Sequence, residues 1–320
     1  MKTNKILAAA VAALLGASAT QADIALTDNL SISGYIDTRY STLDKAGADA
    51  EGLSVGQFNI DFVFSGETVS AEVHIDDQAG GDIQIEQAFV DYNLGNGLTL
   101  TGGRLLNALG YEKDEETDLF QNSYAYTDNT VNSAGDHFAN SLGRRYNEGI
   151  RASYRSDAFS VSLSGYDAIW GTSNGTDLDL AYEIFAAYTG VENLTIALGY
   201  AEDDNSTAAA EVANALNIWA QYEVGAFTVA AEYSDLENGA GTEGDQYLIL
   251  GNYAFSEKGS ITVRYSEHEW DGAAGSFDKF TISPGYAVTD NLYALLEYST
   301  GEDATGVDYD YFAVETTFTF

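Results

Sequence analysis

The residues best placed to do chemistry are charged, and they gather in and around one long segment, 106–146. Acids run through its first part, and arginines lie within it and on both sides of it. The acids are Glu112, Asp114, Glu115, Glu116 and Asp118, and the arginines are Arg104, Arg144, Arg145, Arg151 and Arg155. Facing walls of opposite charge would create a transverse field that orders polar solutes and sets ion preference. The alternatives are a solvated loop tip for the acids and ion pairing with neighbouring acidic strands for the arginines.

The overall composition excludes several classes of protein. The 320 residues include 50 Asp and Glu against 13 Lys and Arg, and the resulting net charge of −37 repels nucleic acid. With no Cys, the chain can form no disulfide framework, thiolate metal site or cysteine nucleophile. A hydrophobic fraction of 45% indicates a folded chain rather than a disordered one. We predict no cofactor and no metal site.

The first 22 residues have the pattern of a secretory signal peptide. Two lysines precede an apolar stretch, 6–16, and small residues follow it, with a cleavage site after Ala22 or, as the alternative, after Ala19. The apolar stretch is shorter than the ~20 residues that a transmembrane helix needs. No linker or shift in composition divides the rest, so residues 23–320 are predicted to form one domain.

From Leu30 onward, apolar and polar residues alternate with the period of a β-strand, in segments separated by turns rich in Gly, Asn, Asp and Ser. In 147–156, for example, Ile150 and Tyr154 point to one side and Arg151 and Arg155 to the other. The pattern predicts strands over 28–40, 53–64, 68–77, 82–93, 97–105, 147–156, 158–166, 177–188, 193–201, 213–223, 226–234, 245–255, 260–268, 277–287, 291–299 and 309–320.

Short turns alternate with long connections between these segments, which is typical of an outer-membrane barrel. The apolar strand face is nearly free of charge, and a lipid-facing Arg or Lys at the bilayer midplane would cost ~2–4 kcal/mol. Aromatic residues end that face at both rims, as membrane interfaces favour. They are Tyr40, Tyr200, Tyr233, Tyr265 and Tyr298 beside the long loops, and Phe64, Tyr92, Tyr154, Tyr188, Tyr222, Tyr253, Tyr286 and Phe320 beside the short turns. The alternative is a soluble β-sandwich or β-helix.

We therefore predict an all-β fold, a transmembrane antiparallel up-and-down β-barrel of about 16 strands, with segment 106–146 as its third long external loop. Two strands, 82–93 and 97–105, break the alternation. A one-residue bulge in each would restore it, and with that bulge Arg104 turns inward.

Four features of the sequence resemble those of Gram-negative outer-membrane porins, and in particular of the OmpL-like β-barrel porin family. They are the signal peptide, the strand ending Gln87-Ala88-Phe89-Val90-Asp91-Tyr92, the Thr101-Gly102-Gly103-Arg104 stretch running into Leu109-Gly110-Tyr111-Glu112, and the C-terminal Val314-Glu315-Thr316-Thr317-Phe318-Thr319-Phe320. The resemblance implies location in the bacterial outer membrane, contact with its lipid and lipopolysaccharide, and a homotrimer. It also implies that the third loop folds into the barrel, and that Phe318 and Phe320 signal to the outer-membrane assembly machinery.

A barrel of this size is wide enough for a water-filled channel, so the expected function is passive diffusion of ions and small hydrophilic solutes. Alternation places charged residues on the lumen wall, and acids outnumber bases there, which favours cations. They include Arg39, Asp179, Glu183, Glu232, Arg264, Glu297 and Glu315. The alternative is a substrate-selective channel, such as one for sugars, with an aromatic track. The track would consist of Tyr35, Tyr166, Phe185, Trp219, Tyr293, Tyr309 and Tyr311, which could equally pack against the folded loop.

Enzymatic activity in the barrel is the second class of hypothesis. Outer-membrane phospholipases and proteases would require histidine, and the chain has only His74, His137 and His268. We interpret His74 as a polar lumen residue and the other two as loop residues. The sequence therefore predicts a channel and not an enzyme.

Overall fold

A computed structural model describes residues 24–47, 49–78, 83–112, 117, 119–126, 142, 145–171, 180–209, 211–272, 276–303 and 305–320. Within them, no helix is long and apolar enough to cross a membrane. The strands are β1 (Ile24–Ala25), β2 (Leu30–Lys45), β3 (Ala50–Ser65), β4 (Val69–Gln78), β5 (Gln84–Gly95), β6 (Leu98–Leu106), β7 (Tyr146–Arg155), β8 (Phe159–Tyr166), β9 (Ala181–Val191), β10 (Leu194–Glu202), β11 (Val212–Val224), β12 (Phe227–Asn238), β13 (Glu243–Ala254), β14 (Gly259–Trp270), β15 (Ser276–Ala287), β16 (Leu292–Glu302) and β17 (Asp308–Thr319).

Strands β2 to β17 pair antiparallel in chain order, and β17 pairs with β2 to close the ring. The all-β, sixteen-stranded barrel is therefore confirmed, and each predicted segment corresponds to one strand. The extra strand β1 pairs with β2 through Ile24 and Ala25. Two residues are too few to show a period, which is why the sequence pattern did not reveal it.

Closure is completed by the last residue of the chain. Phe320 donates its backbone N–H to the Gly34 carbonyl and accepts the Gly34 N–H, both at 3.0 Å. A side chain at Gly34 would lie 2.3 Å from the Asn59 carbonyl oxygen, so only glycine allows this approach. With the seam paired, the ring presents no open sheet edge there.

The two faces of the wall have opposite character. On β14, Val263 and Tyr265 point outward and are exposed, whereas Thr262, Arg264 and Ser266 point inward and are buried. Apolar side chains thus cover the outside and polar ones fill the inside, the inverse of a soluble core. The predicted division of each strand into two faces is confirmed for this barrel.

Of the two predicted bulges, one is present and one is not. On β5, Gln87 pairs with His74 and Ile85 with Ile75, which leaves Glu86 as the extra residue. On β6 the register runs unshifted from Thr99 to Arg104. The second bulge was therefore wrongly predicted, and the two glycines occupy ordinary ladder positions.

Arg104 consequently lies on the outer face, contrary to our expectation that it turns inward. Its cross-strand partner is Glu148, which shares the outward side of β7 with the exposed Ile150. Gly103 has φ +142° and sits so close to β5 that an added side chain would lie 2.2 Å from the Ala88 carbonyl oxygen. Glycine therefore absorbs the local distortion without a register shift.

Candidate functional site

The long connection between β6 and β7 turns into the barrel. We call its described residues 107–112 and 119–126 the inner loop. Its entry is closed against its exit, since Asn107 donates its backbone N–H to the Arg145 carbonyl at 3.0 Å and accepts the Arg145 N–H on its side-chain oxygen at 2.8 Å. The loop therefore leaves and rejoins the wall at one point.

Buried carboxylates of the wall hold the first part of the inner loop. The backbone N–H of Ala108 donates to Glu183 on β9 at 2.7 Å, and that of Tyr111 donates to Glu232 on β12 at 2.7 Å. Glu232 also accepts the Tyr126 hydroxyl at 3.0 Å. Hydrogen bonds to an ionised acceptor are about twice as strong as neutral ones, so these contacts position the backbone firmly.

Two further carboxylates hold the returning part. Ser123 donates its backbone N–H to Glu297 on β16 at 3.0 Å, and the Asn122 side-chain amide donates to Glu315 on β17 at 2.7 Å. The Tyr311 hydroxyl donates to the Asn122 side-chain oxygen at 2.8 Å. The inner loop is thus attached along the half of the wall that runs from β9 to β17.

Two wall cations lie beneath the inner loop rather than in open solvent. Arg264 is 1% exposed and donates to Glu112 and, at 3.2 Å, to the Ser123 hydroxyl. Lys279 is fully buried and donates to the Tyr124 carbonyl and, at 3.3 Å, to the Ser123 hydroxyl. Both cations are therefore in direct contact with the loop, Arg264 through a carboxylate and Lys279 through neutral oxygens.

Apolar packing supports the same attachment. Tyr111 meets Trp219 of β11 edge to face, with ring centroids 5.5 Å apart. Ala125 and the Tyr126 ring pack with the inward-pointing Leu248 and Leu250 of β13. Because leucines on a lumen wall would otherwise meet water, the inner loop buries apolar surface when it folds inward.

A second apolar layer lies beside the start of the loop. Leu105, Leu109 and Trp170 belong to one buried cluster, and the Trp170 indole N–H donates to the Leu142 carbonyl at 2.7 Å.

Asp203 accepts the backbone N–H groups of residues 169, 170 and 171 at 2.7, 2.8 and 2.8 Å. Burial alone would raise the pKa of Asp203, but these donors outweigh it and lower the pKa.

Arg151 joins the wall to the entry of the inner loop. Its guanidinium donates to the Leu106 carbonyl at 2.6 Å and to the Tyr166 hydroxyl at 2.5 Å, and it lies 3.7 Å from Glu183. Arg155, four residues further along β7, is exposed on the inward side. Arg39 is half-buried on β2 opposite Glu315.

The structure brings some of the predicted site residues together and separates others. It joins Glu112 with Arg264, and Arg151 with Glu183, and it places Arg145 at the clasp of the loop. Arg104 is separated from them on the outer face. The remaining predicted site residues lie outside the described residues: Asp114, Glu115, Glu116, Asp118, Arg144 and Asp179.

Sequence reasoning placed the anchoring carboxylates on the lumen face without recognising their role. Three of these acids are buried, although the lumen wall was expected to face water: Glu232, Glu297 and Glu315. The available signal was a lumen-face acid with no basic residue at a paired position, such as Glu232 opposite Trp219 and Leu248. Such an acid needs donors from elsewhere in the chain.

Most of the expected aromatic track is covered. Tyr35, Tyr166, Tyr309 and Tyr311 are buried, and Trp219 packs on Tyr111. Phe185 and Tyr293 remain half-buried. These contacts favour packing against the loop and the wall over a continuous stacking surface.

The histidines that could serve an enzyme lie apart. His74 contacts Asp61 at 3.3 Å and Glu72 at 3.2 Å on the inner wall. His268 was wrongly expected in a loop: it is a buried residue of β14 and contacts Gln246 of β13 at 2.7 Å. His137 lies outside the described residues. Within the part of the chain that the structure describes, no group of three or more side chains is arranged to hold a metal ion.

Comparison with known proteins identifies the family to which the chain is similar. A model of the Gram-negative porin family matches residues 8–306. A search of curated proteins finds no match to the chain.

Solved structures share the fold. OmpF of Salmonella typhi in complex with daunomycin is similar with a TM-score of 0.68 at 14% identity, over 93% of this chain and 100% of that chain. The outer membrane channel DcaP of Acinetobacter baumannii has a TM-score of 0.66 at 12% identity, over 93% and 100%. The trimer form of in-vitro folded OmpT from Vibrio cholerae has 0.60 at 12%, over 92% and 100%. At these identities the likeness is one of fold.

Proposed function

Because the chain belongs to the Gram-negative porin family, we propose that this outer-membrane channel passes ions and small hydrophilic solutes passively and moderately favours cations. The observation that carries the proposal is the inner loop, attached by wall carboxylates inside a closed barrel. A loop fixed on one side of the lumen narrows the path and leaves the opposite wall to line it.

The size of the cation preference depends on which charged side chains remain accessible in the lumen. Glu183, Glu232, Glu297 and Glu315 are buried in contacts with the loop or its neighbours, so they contribute little to the path. On the opposite wall, Glu72 and Asp91 keep partial exposure beside Arg151, and Arg155 is exposed. Acids outnumber bases over the whole inner face, but the accessible charges of this wall are nearly balanced, so we expect the cation preference to be modest and to weaken with salt.

The test is a planar-bilayer recording of the refolded protein across a salt gradient. We expect a reversal potential on the cation side, and a stronger cation preference in an Arg151→Ala/Arg155→Ala variant because two lumen cations are lost. Arg104→Ala is the matched control, since it removes the same charge from the outer face and should leave selectivity unchanged. Absent conductance, or selectivity unaffected by the double change, would contradict the proposal.

The sugar-selective alternative has a distinct signature in the same recording. A stacking track binds its solute, so conductance would be blocked by millimolar sugar and transport would saturate. Because most of the candidate rings are covered, we expect no block. A saturable block would favour the selective channel.

The remaining parts of the proposal concern processing and partners. Cleavage after Ala22 would leave residues 23–320 as one barrel domain, and the mass of the mature protein tests this. Contact with lipopolysaccharide, assembly through Phe318 and Phe320, and a homotrimer are proposed from family membership. We also propose that the barrel is not an enzyme, and assays for lipase and protease activity on refolded protein test that.

A further inference from the structure

A histidine lies in a row of polar side chains on the wall opposite the inner loop. Asp61 of β3, His74 of β4 and Gln87 of β5 are paired across neighbouring strands. Side chains paired in this way on one face of a sheet lie within contact distance. Glu72 stands two residues from His74 on the same strand, so it shares the same face. We call these four residues the histidine row.

The imidazole of His74 contacts an acid at each ring nitrogen. Nδ1 lies 3.3 Å from the Asp61 carboxylate, and Nε2 lies 3.2 Å from the Glu72 carboxylate. A neutral imidazole has one N–H and one lone pair, so it can donate a hydrogen bond to only one of these two acceptors. The imidazolium ion donates to both, which makes the arrangement a site for a proton.

Gln87 provides a partner for the other protonation state. Its side-chain amide nitrogen lies 3.3 Å from Nδ1, the same distance as the Asp61 oxygen. When Nδ1 holds no proton, it accepts an N–H of Gln87, while the Nε2–H still donates to Glu72. Each ring nitrogen therefore has a hydrogen-bond partner in both states, and the ring can gain or lose its proton in place.

The bulge on β5 is what puts an amide at this position. The pairing shifts between His74 and Ile75, so Glu86 is left out of the ladder and Gln87 falls opposite His74. An unshifted ladder would pair Glu86 with His74 and face the ring with a third carboxylate. The bulge thus selects a side chain that can both donate and accept.

The charged groups on the same face of these three strands are otherwise acids. They are Asp61, Glu72, Asp76, Glu86 and Asp91. The closest cation in this network is Arg151 of β7, which interacts electrostatically with Asp91, as Glu72 also does. The Glu72 side chain is 35% exposed and that of His74 is 13% exposed. Water and protons from the lumen therefore reach the histidine row.

We propose that His74 is a specificity-determining residue of the channel, and that the proton it holds sets how strongly the lumen favours cations. The inference rests on the proposed function, because only a conducting lumen has a selectivity to set. Two carboxylates and one imidazolium leave one negative charge in the row, and loss of the proton leaves two. Histidine ordinarily changes its charge between about pH 5 and 8, so the cation preference should rise with pH over that range.

Reversal potentials across a salt gradient test the proposal in the refolded protein between about pH 5 and 8. The cation-to-anion permeability ratio of the wild type should rise about twofold, since the added charge lies within a Debye length of about 10 Å of the path. His74→Gln should keep the higher ratio at every pH, and His74→Lys should keep the lower one. A flat ratio in the wild type, or an equal rise in His74→Gln, would overturn the proposal.

The other two histidines of the chain supply the matched controls. His268→Gln removes a buried histidine of β14, and His137→Gln removes the remaining one. Each variant should show the full wild-type rise, because neither changes the histidine row. Resistance to heat in detergent checks that each variant has folded. Loss of the rise in either control would assign the effect elsewhere and contradict the role of His74.

The protonation of the ring can be followed without any current. In the His137→Gln/His268→Gln variant, histidine labelled with heavy nitrogen marks His74 alone, and nuclear magnetic resonance reports the proton on each ring nitrogen. We expect both nitrogens to carry a proton at the acid end and only Nε2 at the other end. Asp61→Asn removes an acceptor of the charged ring, so the proton should leave at lower pH. Gln87→Met removes the donor to the neutral ring and should have the opposite effect.

The two measurements separate this inference from the proposed function. A wild type that conducts with a ratio independent of pH refutes the role of His74 and leaves the channel in place. A wild type without conductance refutes the channel, and the ring signals then decide the proton site. A ring that titrates between about pH 5 and 8 supports the site, and a ring that stays in one state overturns it.

Discussion

The Glu232 carboxylate accepts the backbone N–H of Tyr111 at 2.7 Å and so joins the wall to the inner loop across 121 residues of chain. Asn217 supports the same carboxylate from β11 at 2.8 Å. Because this acceptor is buried and holds donors from both the wall and the loop, its role in the structure is to position the inner loop.

Removal of this anchor should loosen the inner loop. Glu232→Ala leaves the Tyr111 N–H and the Tyr126 hydroxyl without their acceptor, at ~1–3 kcal/mol for each buried group. We expect larger single-channel conductance and more open-channel noise. The control is Glu72→Gln, which removes a carboxylate charge from the opposite wall; it should shift selectivity without added noise. A quiet, unchanged Glu232→Ala channel would show that the loop is held without Glu232.

The buried ion pair between Arg264 and Glu112 should show strong energetic coupling. Removing one partner leaves the other charge buried, which costs ~3–5 kcal/mol, whereas removing both costs less. Urea unfolding in lipid vesicles of Arg264→Met, Glu112→Gln and the double variant measures this cycle. Glu267→Gln at the outer rim is the control and should change stability by less than about 0.5 kcal/mol. Additive effects would mean that the two side chains do not interact in the membrane.

Acid should release the segment that Asp203 holds at the long-loop end. Because the pKa of Asp203 is lowered on folding, its stabilising effect is complete above its ordinary value of 3.8 and is lost as pH falls through the lower folded value. The backbone N–H groups of residues 169–171 should therefore lose protection from hydrogen exchange in strong acid, relative to the intrinsic exchange rate at the same pH. Asp203→Asn should exchange faster already at neutral pH, with little further change on acidification. Protection that is equal in both proteins at neutral pH would contradict the role of the carboxylate.

The terminal aromatic residue should matter more for assembly in cells than for folding. Phe320 pairs with Gly34 through two backbone hydrogen bonds, and its ring lies over Gly34 and stacks on Phe318 with centroids 6.3 Å apart. Phe320→Ser keeps the backbone pair, so refolding in detergent should be nearly normal while the yield in the outer membrane falls. The control is Phe312→Ser, which removes an exposed outward aromatic of the same strand, β17, nearer the long-loop end of the barrel. Equal losses for both variants in cells would make Phe320 an ordinary interfacial aromatic.

The barrel itself was predictable because alternation is a local property. Each strand shows its two faces in its own residues: on β7, Ile150 points outward and Arg151 points inward. Every strand of the barrel must show this pattern, because its outer face meets lipid and its inner face meets polar groups. A bulge was predictable where parity visibly shifts, at Glu86. At Gly102 and Gly103 the same reasoning failed, because a glycine has no side chain from which parity can be read.

The sequence by itself determined the sixteen strands of the closed barrel, the apolar and polar face of each strand, and most of the acids and bases on the inner face. Only the tertiary structure decided which of those charges meet the lumen. The reason is physical: Glu232, Arg264 and Lys279 are held by donors and acceptors of a loop more than a hundred residues away. Pairing at that separation depends on the closed ring bringing both ends together, and no local pattern encodes it.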